Sequence, residues 1–336
     1  MKKIMCVLLV LTLAAGAAFA GGGKQQSASG GQKQLTIAGI YKSGDQAWFL
    51  TEGKGAQGVV EAAGGKWMYM DAKINDAATY IQLIDTCIAQ KVDGIITCPP
   101  DQNLSPAVVA KLKEAGIPVI AVDDALQDES GKLLAPWVGI DAYNIGLQSG
   151  KAGVEFVQKN NLANDPSFGV LLLTVDTVSS CVPRTEAQLK SIKDAFPSFP
   201  DSRIWRADSD GTTERANVVA TAVITGHPEI KKWLVFAIND EGAQGGARAL
   251  EAAGLTYENG SLVIGFGGYL APDEFAKPSS PFKAAAYFSA TDVGKMSAQS
   301  LLDFITSGKP IPERQAVSAR TILPGDDLRA IMPEYF

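Results

Sequence analysis

Short runs of aliphatic and β-branched residues alternate with segments of helical periodicity from Leu35 onward, and this alternation limits the fold more than any other feature. It is typical of βαβ units, in which helices connect parallel strands. Three runs, "GIITC", "PVIAV" and "WLVFAI", are continuously apolar, as expected for strands covered by helices on both faces. The pattern predicts an α/β fold with strands at 35–41, 66–71, 94–98, 118–123, 136–140, 168–174, 203–207, 233–239, 262–267 and 283–288.

The ten predicted strands form two groups of five, and a chain of 336 residues more often folds as two domains than as one. The pattern alone also allows a single large sheet. Polar residues follow several strands directly, notably Lys42, Asp123, Asp124 and Asn239. Ligands of open α/β sheets bind outside the carboxyl ends of the strands. We therefore expect two doubly wound lobes with a ligand cleft between them.

The first twenty residues have the layout of a cleavable secretory signal. Lys2 and Lys3 precede an apolar run, and small residues end the segment at Ala20. A membrane span would need a longer run followed by stop-transfer charges. We expect residues 1–20 to be removed on export and the Gly/Ser-rich residues 21–34 to form a flexible leader. Gly21 stands where a lipoprotein would have its cysteine, so no lipid anchor is expected.

Charge and composition exclude several kinds of partner. The formal charge is −6, and loss of the two signal lysines makes it −8, which disfavours binding to nucleic acid or anionic lipid. The only histidine, His227, stands in a Gly-His-Pro turn, so we expect no zinc site, and no cofactor. Three cysteines remain after cleavage, which allows one disulfide at most. Cys87 lies on an apolar helical stripe and is predicted to be a core residue.

Motifs typical of enzymes are missing from the sequence. It contains no GxSxG, no GxGxxG after the first strand and no GxxxxGK[ST] phosphate loop. The adjacent carboxylates Asp123 and Asp124 follow one strand, where they are poorly placed to flank a glycosidic bond. The sequence therefore favours a binding protein over an enzyme.

Three long blocks carry a resemblance to a known family: "KSGDQAWF", "GIITCPPDQNLSPAVVAKLKEAGIPVIAVDD" and "HPEIKKWLVFAINDEGAQGGARALEAAGL". Over about residues 35–336 the chain resembles the periplasmic sugar-binding proteins of ABC importers, most of all those specific for L-arabinose. The resemblance implies two Rossmann-like lobes joined by three crossings, near 139–142, 287–290 and 313–318. The implied N-terminal lobe comprises 35–140 and 289–315, and the C-terminal lobe comprises 141–288 and 316–336.

The resemblance also implies a set of sugar contacts. A pyranose needs a flat aromatic group against its C–H face and fixed polar groups around its hydroxyls. Two acids and two bases would leave the site roughly neutral, which fits a polyol better than a phosphate or a carboxylate. Transferred by position, the contacts are Lys42, Trp48, Phe49, Cys98, Asp123, Asp124, Ser180, Arg184 and Asn239, with Gln46, Ile140 and Tyr269 added as neighbours.

This chain departs from the arabinose binders at two positions. Gln46 stands where they carry a glutamate, and it donates as well as accepts hydrogen bonds. Where they offer a cleft asparagine, the segment "IGFGGYLAPDEF" places Gly267, Gly268 or Tyr269. Loss of that amide either enlarges the pocket or removes a hydroxyl contact.

Several predicted site residues also have a structural alternative. Trp48 and Phe49, expected in the loop after the first strand, are alternatively an interlobe packing pair. Asp123 is alternatively a helix N-cap, and Arg184 a partner in a surface ion pair. Cys98 is expected to be a small wall residue rather than a reactive thiol.

The resemblance leaves two functions open. The first is capture of a monosaccharide by hinge closure and its delivery to the membrane permease and ATPase of an ABC importer. The second is sensing, in which the closed form contacts a chemoreceptor or sensor kinase. Sugar-responsive repressors share the fold, but they carry a DNA-binding helix-turn-helix where this chain has its signal sequence. We expect a periplasmic monomer.

Overall fold

The structure is a computed structural model that describes residues 33–73, 76–178 and 180–336. The expected signal peptide at 1–20, and the expected leader at 21–34 apart from its last two residues, lie outside these ranges. Within the part of the chain that is described, no helix is long and apolar enough to cross a membrane.

In the part of the chain that the structure describes, twelve strands form two sheets of six. The first sheet is parallel throughout and has the order β11-β5-β4-β3-β1-β2. The second has the order β12-β10-β9-β8-β6-β7, with β12 antiparallel to its neighbour. The first sheet contains β1 (Thr36–Tyr41), β2 (Lys66–Asp71), β3 (Gly94–Cys98), β4 (Val119–Val122), β5 (Trp137–Ile140) and β11 (Arg314–Val317). The second contains β6 (Phe168–Thr174), β7 (Ile204–Asp208), β8 (Lys232–Ala237), β9 (Leu262–Gly267), β10 (Phe282–Phe288) and β12 (Ala319–Ile322).

Helices connect the strands and cover both sheets. The helices are α1 (Ala47–Ala62), α2 (Ala77–Gln90), α3 (Ser105–Ala115), α4 (Ala142–Lys159), α5 (Val182–Ala195), α6 (Thr213–Gly226), α7 (Asp240–Ala252), α8 (Ala271–Ala276), α9 (Ala290–Ser307) and α10 (Leu328–Ile331). Short 3-10 turns lie at 102–104, 201–203 and 333–335. This architecture confirms the predicted fold class of two doubly wound α/β lobes.

All ten predicted strands are present, but each sheet has one strand more than the pattern predicted. The two additional strands, β11 and β12, are four residues long, and most of their side chains are at least partly exposed. Such short, half-polar edge strands carry little hydrophobic signal, and their pairing depends on the edge that the rest of each sheet leaves free.

The chain passes between the two sheets at three points. Asp141 follows β5 of the first sheet and caps α4, which packs on the second. Ser289 follows β10 and caps α9, which returns to pack on α1. The third point is the single residue Ser318 between β11 and β12. Both cap side chains accept a hydrogen bond from the first turn of the helix, so each of these crossings ends in a fixed helix start.

Both sheets have a topological switch point, where the strand order reverses. In the first sheet it lies between β1 and β3, and in the second between β6 and β8. Loops at the carboxyl ends of such strand pairs diverge and leave a crevice. Apolar clusters fill both faces of each sheet, and one of them contains Trp48 of α1 together with Phe266 and Phe288 of the second sheet. The two lobes therefore share packing next to the crevice.

Candidate functional site

A cavity of about 470 Å³ lies between the lobes at the two switch points. Its walls come from the loops after β1, β3 and β4 on one side and after β6, β7, β8 and β9 on the other. The predicted site residues that line it are Lys42, Gln46, Trp48, Phe49, Asp123, Asp124, Ser180, Arg184, Asn239 and Tyr269.

Cys98 and Ile140 do not line this cavity. Cys98 is fully buried at the end of β3, and its thiol lies 3.6 Å from Asp124 Oδ2, behind the carboxylate. Burial, reinforced by Asp124, raises the pKa of Cys98, so the thiol stays protonated. Ile140 ends β5 and is buried in the apolar cluster between the lobes. Both residues contribute to the packing behind the site.

Asp124 links the two lobes. Its Oδ2 forms an ion pair with Lys42 of the first lobe, and its Oδ1 accepts a 2.6 Å hydrogen bond from Ser180 Oγ of the second. Burial acts to raise the pKa of Asp124, but Lys42, Ser180 and Arg184 outweigh it and hold that pKa below the usual value. Burial likewise opposes the charge on Lys42, and Asp124 more than compensates by raising the lysine pKa. The pair is therefore charged and fixed at the cavity wall.

Asp123 lies beside Asp124 in the turn after β4, and no helix begins there. The helix N-cap alternative is therefore wrong. The backbone of Asp123 has a φ of 54°, in the left-handed region. Its N–H donates to Val138 O at 3.1 Å, and its own carbonyl oxygen accepts from Trp137 Nε1 at 2.9 Å. These bonds to β5 and to an indole offset the cost of this conformation.

Trp48 and Phe49 lie in the first turn of α1, not in a loop as expected, because the backbone is helical from Ala47 onward. The indole Nε1 of Trp48 donates a 2.8 Å hydrogen bond to Asp123 Oδ2. Its ring packs edge-on against Phe288, with centroids 4.8 Å apart. Phe49 instead packs on Tyr41 within its own lobe, at 5.6 Å. Trp48 therefore packs between the lobes, as the structural alternative expected, and it also lines the cavity. Its role as a platform for the sugar stays a prediction.

Arg184 is a buried residue of the second lobe and makes no surface ion pair, so that alternative is wrong. It sits in the first turn of α5, one residue after Pro183. Its Nη1 donates to Ile238 O at 2.6 Å, and the guanidinium carbon lies 4.6 Å from the ring centre of Phe266. Its Nε is buried and has no partner among the described residues. The guanidinium is thus held over an aromatic ring beside the cavity.

Asn239 has its side chain engaged by its own lobe. It caps α7, where its Oδ1 accepts from Gly242 N at 2.9 Å, and its Nδ2 donates to Gly211 O at 2.7 Å. The residue also lines the cavity, where these two bonds leave one lone pair of Oδ1 and one hydrogen of Nδ2 for a ligand. It therefore acts first as a helix cap.

The departure at Tyr269 places a phenol next to Gln46. Tyr269 Oη donates a 2.5 Å hydrogen bond to Glu241 Oε2, and Gln46 of the opposite lobe also bonds that carboxylate. Gly267 and Gly268 have φ values of 122° and 87°, and a Cβ on Gly267 would lie 2.5 Å from the tyrosine ring. Glycine at this position is therefore required for the ring to lie back over the turn. Burial raises the pKa of Glu241 to about 7.

Sequence reasoning missed several lining residues. Phe266 and Phe288 end the strands β9 and β10 and give the cavity aromatic surface beyond Trp48. Cys181 lines the cavity next to Ser180, and burial raises the pKa of its thiol. All three follow or end predicted strands, so their position at a carboxyl edge was a usable signal. The polar lining residues that were also missed are Ser43, Asp101, Gln102, Asn103, Thr177, Asp208 and Asp210.

The structure bears on the cysteine and metal predictions as well. Cys87, Cys98 and Cys181 are free and buried, and Cys87 lies in the core of the first lobe. Among residues 33–73, 76–178 and 180–336, no group of three or more His, Cys, Asp or Glu side chains is placed to hold a metal ion.

Comparison with known proteins decides the family. Residues 37–310 match the periplasmic binding protein domain. The chain belongs to the periplasmic binding protein family. It is 30% identical over 304 residues to an ABC transporter L-arabinose-binding periplasmic protein of Azospirillum brasilense, with 88% of each chain covered. It is 26% identical over 305 residues to the L-arabinose-binding periplasmic protein of Escherichia coli, covering 88% of this chain and 90% of that one.

Solved structures of the family share the fold. The Caulobacter myo-inositol binding protein, solved with myo-inositol, superimposes with a TM-score of 0.73 over 90% of this chain and 96% of that chain, at 21% identity. Membership of this periplasmic binding protein family confirms that the chain is a binding protein and not an enzyme. The residues of the cavity between the lobes accordingly act by hydrogen bonding and by shape, and not by breaking bonds.

Proposed function

We propose that this protein is an extracytoplasmic solute-binding protein that captures a neutral monosaccharide, L-arabinose or a related aldose, and delivers it to an ABC importer. The observation that carries the proposal is the composition of the interlobe cavity. Lys42 and Arg184 face Asp123 and Asp124 there, next to the aromatic ring of Trp48. The charges of these four groups cancel, and the other charged lining residues, Asp101, Asp208 and Asp210, are exposed acids, so the cavity has no unbalanced positive charge to hold an anionic ligand. A polyol with an apolar face matches both the hydrogen-bonding groups and the ring.

The names of two relatives suggest which sugar to test first. Two relatives that cover 88% of this chain are named for L-arabinose, at 30% and 26% identity. The departures at Gln46 and Tyr269 change the wall where those relatives are expected to use a glutamate and an asparagine. We propose L-arabinose as the first ligand to test, and galactose or a related pentose as the second.

The proposal includes a partner and a location. Delivery to the permease and ATPase subunits of an importer requires a protein outside the cytoplasmic membrane, and residues 1–20 supply the export signal for it. We propose that the mature protein is a periplasmic monomer. The chain crosses from one lobe to the other near Asp141, Ser289 and Ser318, and bending at these crossings closes the cleft.

Isothermal titration of the unmutated protein tests the ligand. We expect binding of L-arabinose or a closely related aldose, and no binding of sugar phosphates or sugar acids, because the site offers no unbalanced positive charge. A thermal-shift panel identifies the sugar, since a ligand that binds only the folded state raises its apparent stability. Absence of binding by every aldose tested contradicts the proposed function.

Asp124 is the residue whose replacement should affect binding most directly. Asp124→Asn leaves the half-buried Lys42 without its carboxylate and removes a charged acceptor, which costs on the order of 1–3 kcal/mol. That is about tenfold to a hundredfold in affinity. The matched control is Asp85→Asn, which removes an exposed carboxylate on α2 that pairs with Lys111. Affinity of Asp124→Asn within threefold of the unmutated protein, with Asp85→Asn also unchanged, would remove Asp124 from the site.

A further inference from the structure

Glu52 is a fully buried carboxyl group that the sugar site does not explain. It lies on α1 one turn after Trp48, and none of its surface is exposed. Neither of its carboxyl oxygens has a partner at normal hydrogen-bond geometry among the described residues. Two side chains lie close enough to interact with it: the carboxyl group of Asp123 and, with a smaller and opposite effect on its pKa, the indole N–H of Trp48. Asp123 itself lines the cavity and accepts a hydrogen bond from Trp48.

Two ionised carboxylates cannot form this contact. Both would only accept hydrogen bonds, and their charges would repel in a site closed to water. One proton between them turns the contact into a charge-assisted O–H···O bond, which is a strong hydrogen bond. Trp48 already donates to Asp123 and stabilises the negative charge there, so the proton belongs on the other partner.

We propose that Glu52 is a neutral carboxylic acid that donates its proton to Asp123, and that it thereby positions Asp123 for the ligand. Trp48 Nε1 and the Glu52 hydroxyl would then hold the Asp123 carboxylate from two directions, on a backbone whose φ of 54° fixes where the side chain begins. Glu52 acts through Asp123 and does not contact the ligand, so it is a positioning residue. The ligand part of this inference rests on the proposed function, but the protonation of Glu52 does not.

Among the described residues, no cation lies close enough to Glu52 to lower its pKa. Tyr41 of β1 and Tyr69 of β2 lie close enough for a charge on Glu52 to raise their pKa values, and the hydroxyl oxygen of Tyr41 is buried without a partner. Helix α9, which packs along α1, brings Gly294 against the backbone carbonyl of Glu52. Lys42 is paired with Asp124.

The titration directions agree with the geometry. Burial, followed by the charge of Asp123, raises the pKa of Glu52 well above its usual range. Burial also raises the pKa of Asp123, but hydrogen bonds from Glu52 and Trp48 oppose that increase. With Glu52 neutral, the charges of Lys42, Arg184, Asp123 and Asp124 balance. With Glu52 ionised, the site would carry one additional negative charge.

Infrared spectroscopy of the sugar-free protein tests the protonation directly. At about pH 8.5, well above the usual range of glutamate pKa values, we expect a carbonyl stretch from a protonated carboxyl group. That band should disappear in Glu52→Gln and persist in Glu241→Gln, which removes the other buried glutamate whose pKa is raised, to about 7. A spectrum without such a band, or a band unchanged in Glu52→Gln, overturns the proposal. If Glu52→Gln does not fold, the band in the unmutated protein and in Glu241→Gln decides the question alone.

Titration with the preferred sugar tests the positioning role. The amide of Glu52→Gln donates to Asp123 as the acid would, so we expect affinity within about threefold of the unmutated protein. Glu52→Ala removes the donor and leaves an Asp123 oxygen unpaired, so we expect a loss of about tenfold or more. The control, Glu61→Gln, changes an exposed glutamate of the same helix that accepts from Gln57. Glutamine donates a hydrogen bond but carries no charge. If Glu52→Gln keeps the sugar affinity that Glu52→Ala loses, Glu52 acts as a hydrogen-bond donor and its negative charge is not required.

The outcomes for the two proposals are distinct. Strong loss of affinity in a folded Glu52→Gln variant means that Glu52 acts as an ionised group, and it overturns the inference. Equal affinity of Glu52→Ala and the unmutated protein removes the positioning role. If no aldose binds the unmutated protein, the proposed function fails, whereas the infrared result still decides the protonation of Glu52.

Discussion

At the scale of single residues, the polar groups of the site are held by the protein before any ligand contact is considered. Asp124 accepts from Ser180 and pairs with Lys42, and Trp48 donates to Asp123. Preorganised groups of this kind lose little conformational entropy on binding. Arg184 is different, because its buried Nε has no partner among the described residues. Its guanidinium therefore has a fixed, buried N–H donor left for a ligand.

Replacing Arg184 with another cation should therefore reduce sugar affinity, even though the charge is kept. Arg184→Lys retains the charge but loses Nε, the guanidinium contact with the ring of Phe266 and the bond from Nη1 to Ile238. We expect a loss of sugar affinity of about tenfold or more, measured by isothermal titration. Arg206→Lys is the control, because Arg206 pairs with Asp176 at the surface. Sugar affinity of Arg184→Lys equal to that of the unmutated protein would show that only its charge matters.

At the scale of elements, helices α1 and α9 pack unusually closely. A Cβ on Gly294 of α9 would lie 2.0 Å from the carbonyl oxygen of Glu52, and one on Gly55 of α1 would lie 2.4 Å from Thr291 O. Because α9 begins directly after a crossing and α1 carries Trp48, this contact joins a crossing segment to the site.

Gly294→Ala should separate these two helices. The added methyl group meets backbone, which cannot move aside, so we expect destabilisation of about 1–3 kcal/mol and a lower melting temperature in calorimetry. Gly58→Ala is the matched control on α1, because its Cβ would meet nothing within 4 Å. That variant should be neutral or slightly stabilised, since alanine is the better helix former. Equal melting temperatures for the two variants would contradict the close contact.

The start of α7 introduces a pH dependence of stability. Burial raises the pKa of Glu241 to about 7 in the folded protein, compared with about 4.3 for an unperturbed glutamate. Between these values the folded state holds a proton that the unfolded state has lost, so the free energy of unfolding falls as the pH rises through this window. Burial also raises the pKa of Asp240 to about 6, with the same sign.

Glu241→Gln should flatten this dependence. The amide cannot titrate, so we expect the slope of unfolding free energy against pH between about 4.3 and 7 to become shallower. Urea denaturation across that range measures it. Glu258→Gln, at an exposed position, should keep the original slope. If the slope in Glu241→Gln is as steep as in the unmutated protein, the buried carboxyl group is not its source.

At the scale of the whole molecule, several contacts between the lobes lie at the site. Ser180 bonds Asp124, Trp48 packs on Phe288, and Gln46 bonds Glu241. The chain also crosses between the lobes at three short segments. A ligand that contacts both walls would therefore stabilise the closed arrangement through its additional contacts.

Saturating sugar should make the protein more compact. We expect a smaller radius of gyration in small-angle scattering and a shift in tryptophan emission, because Trp48 lies between the two lobes. Trp48→Phe should retain the compaction and lose most of the emission change, which assigns the signal. If scattering and emission of the unmutated protein both stay constant at saturating ligand, the sugar does not close the cleft.

The sequence by itself determined the α/β fold, because alternating apolar runs and helical periodicity leave few other ways to bury the strands. It also placed Lys42, Asp124 and Asn239 at strand ends, where a cleft forms. It did not reveal the edge strands β11 and β12. Each is only four residues long and pairs with a sheet edge that distant parts of the chain provide. Local pattern carries no information about such distant partners.

Only the tertiary structure decided what each site residue does. In the folded protein Asn239 caps a helix, and Cys98 and Ile140 lie behind the cavity wall. Trp48 lies in the first turn of a helix and packs against Phe288 of the other lobe. It also brought Glu52 next to Asp123, 71 positions later in the chain. Protonation and hydrogen bonding depend on which groups meet and on how much water is excluded, and residues so far apart in sequence meet only when the whole chain has folded.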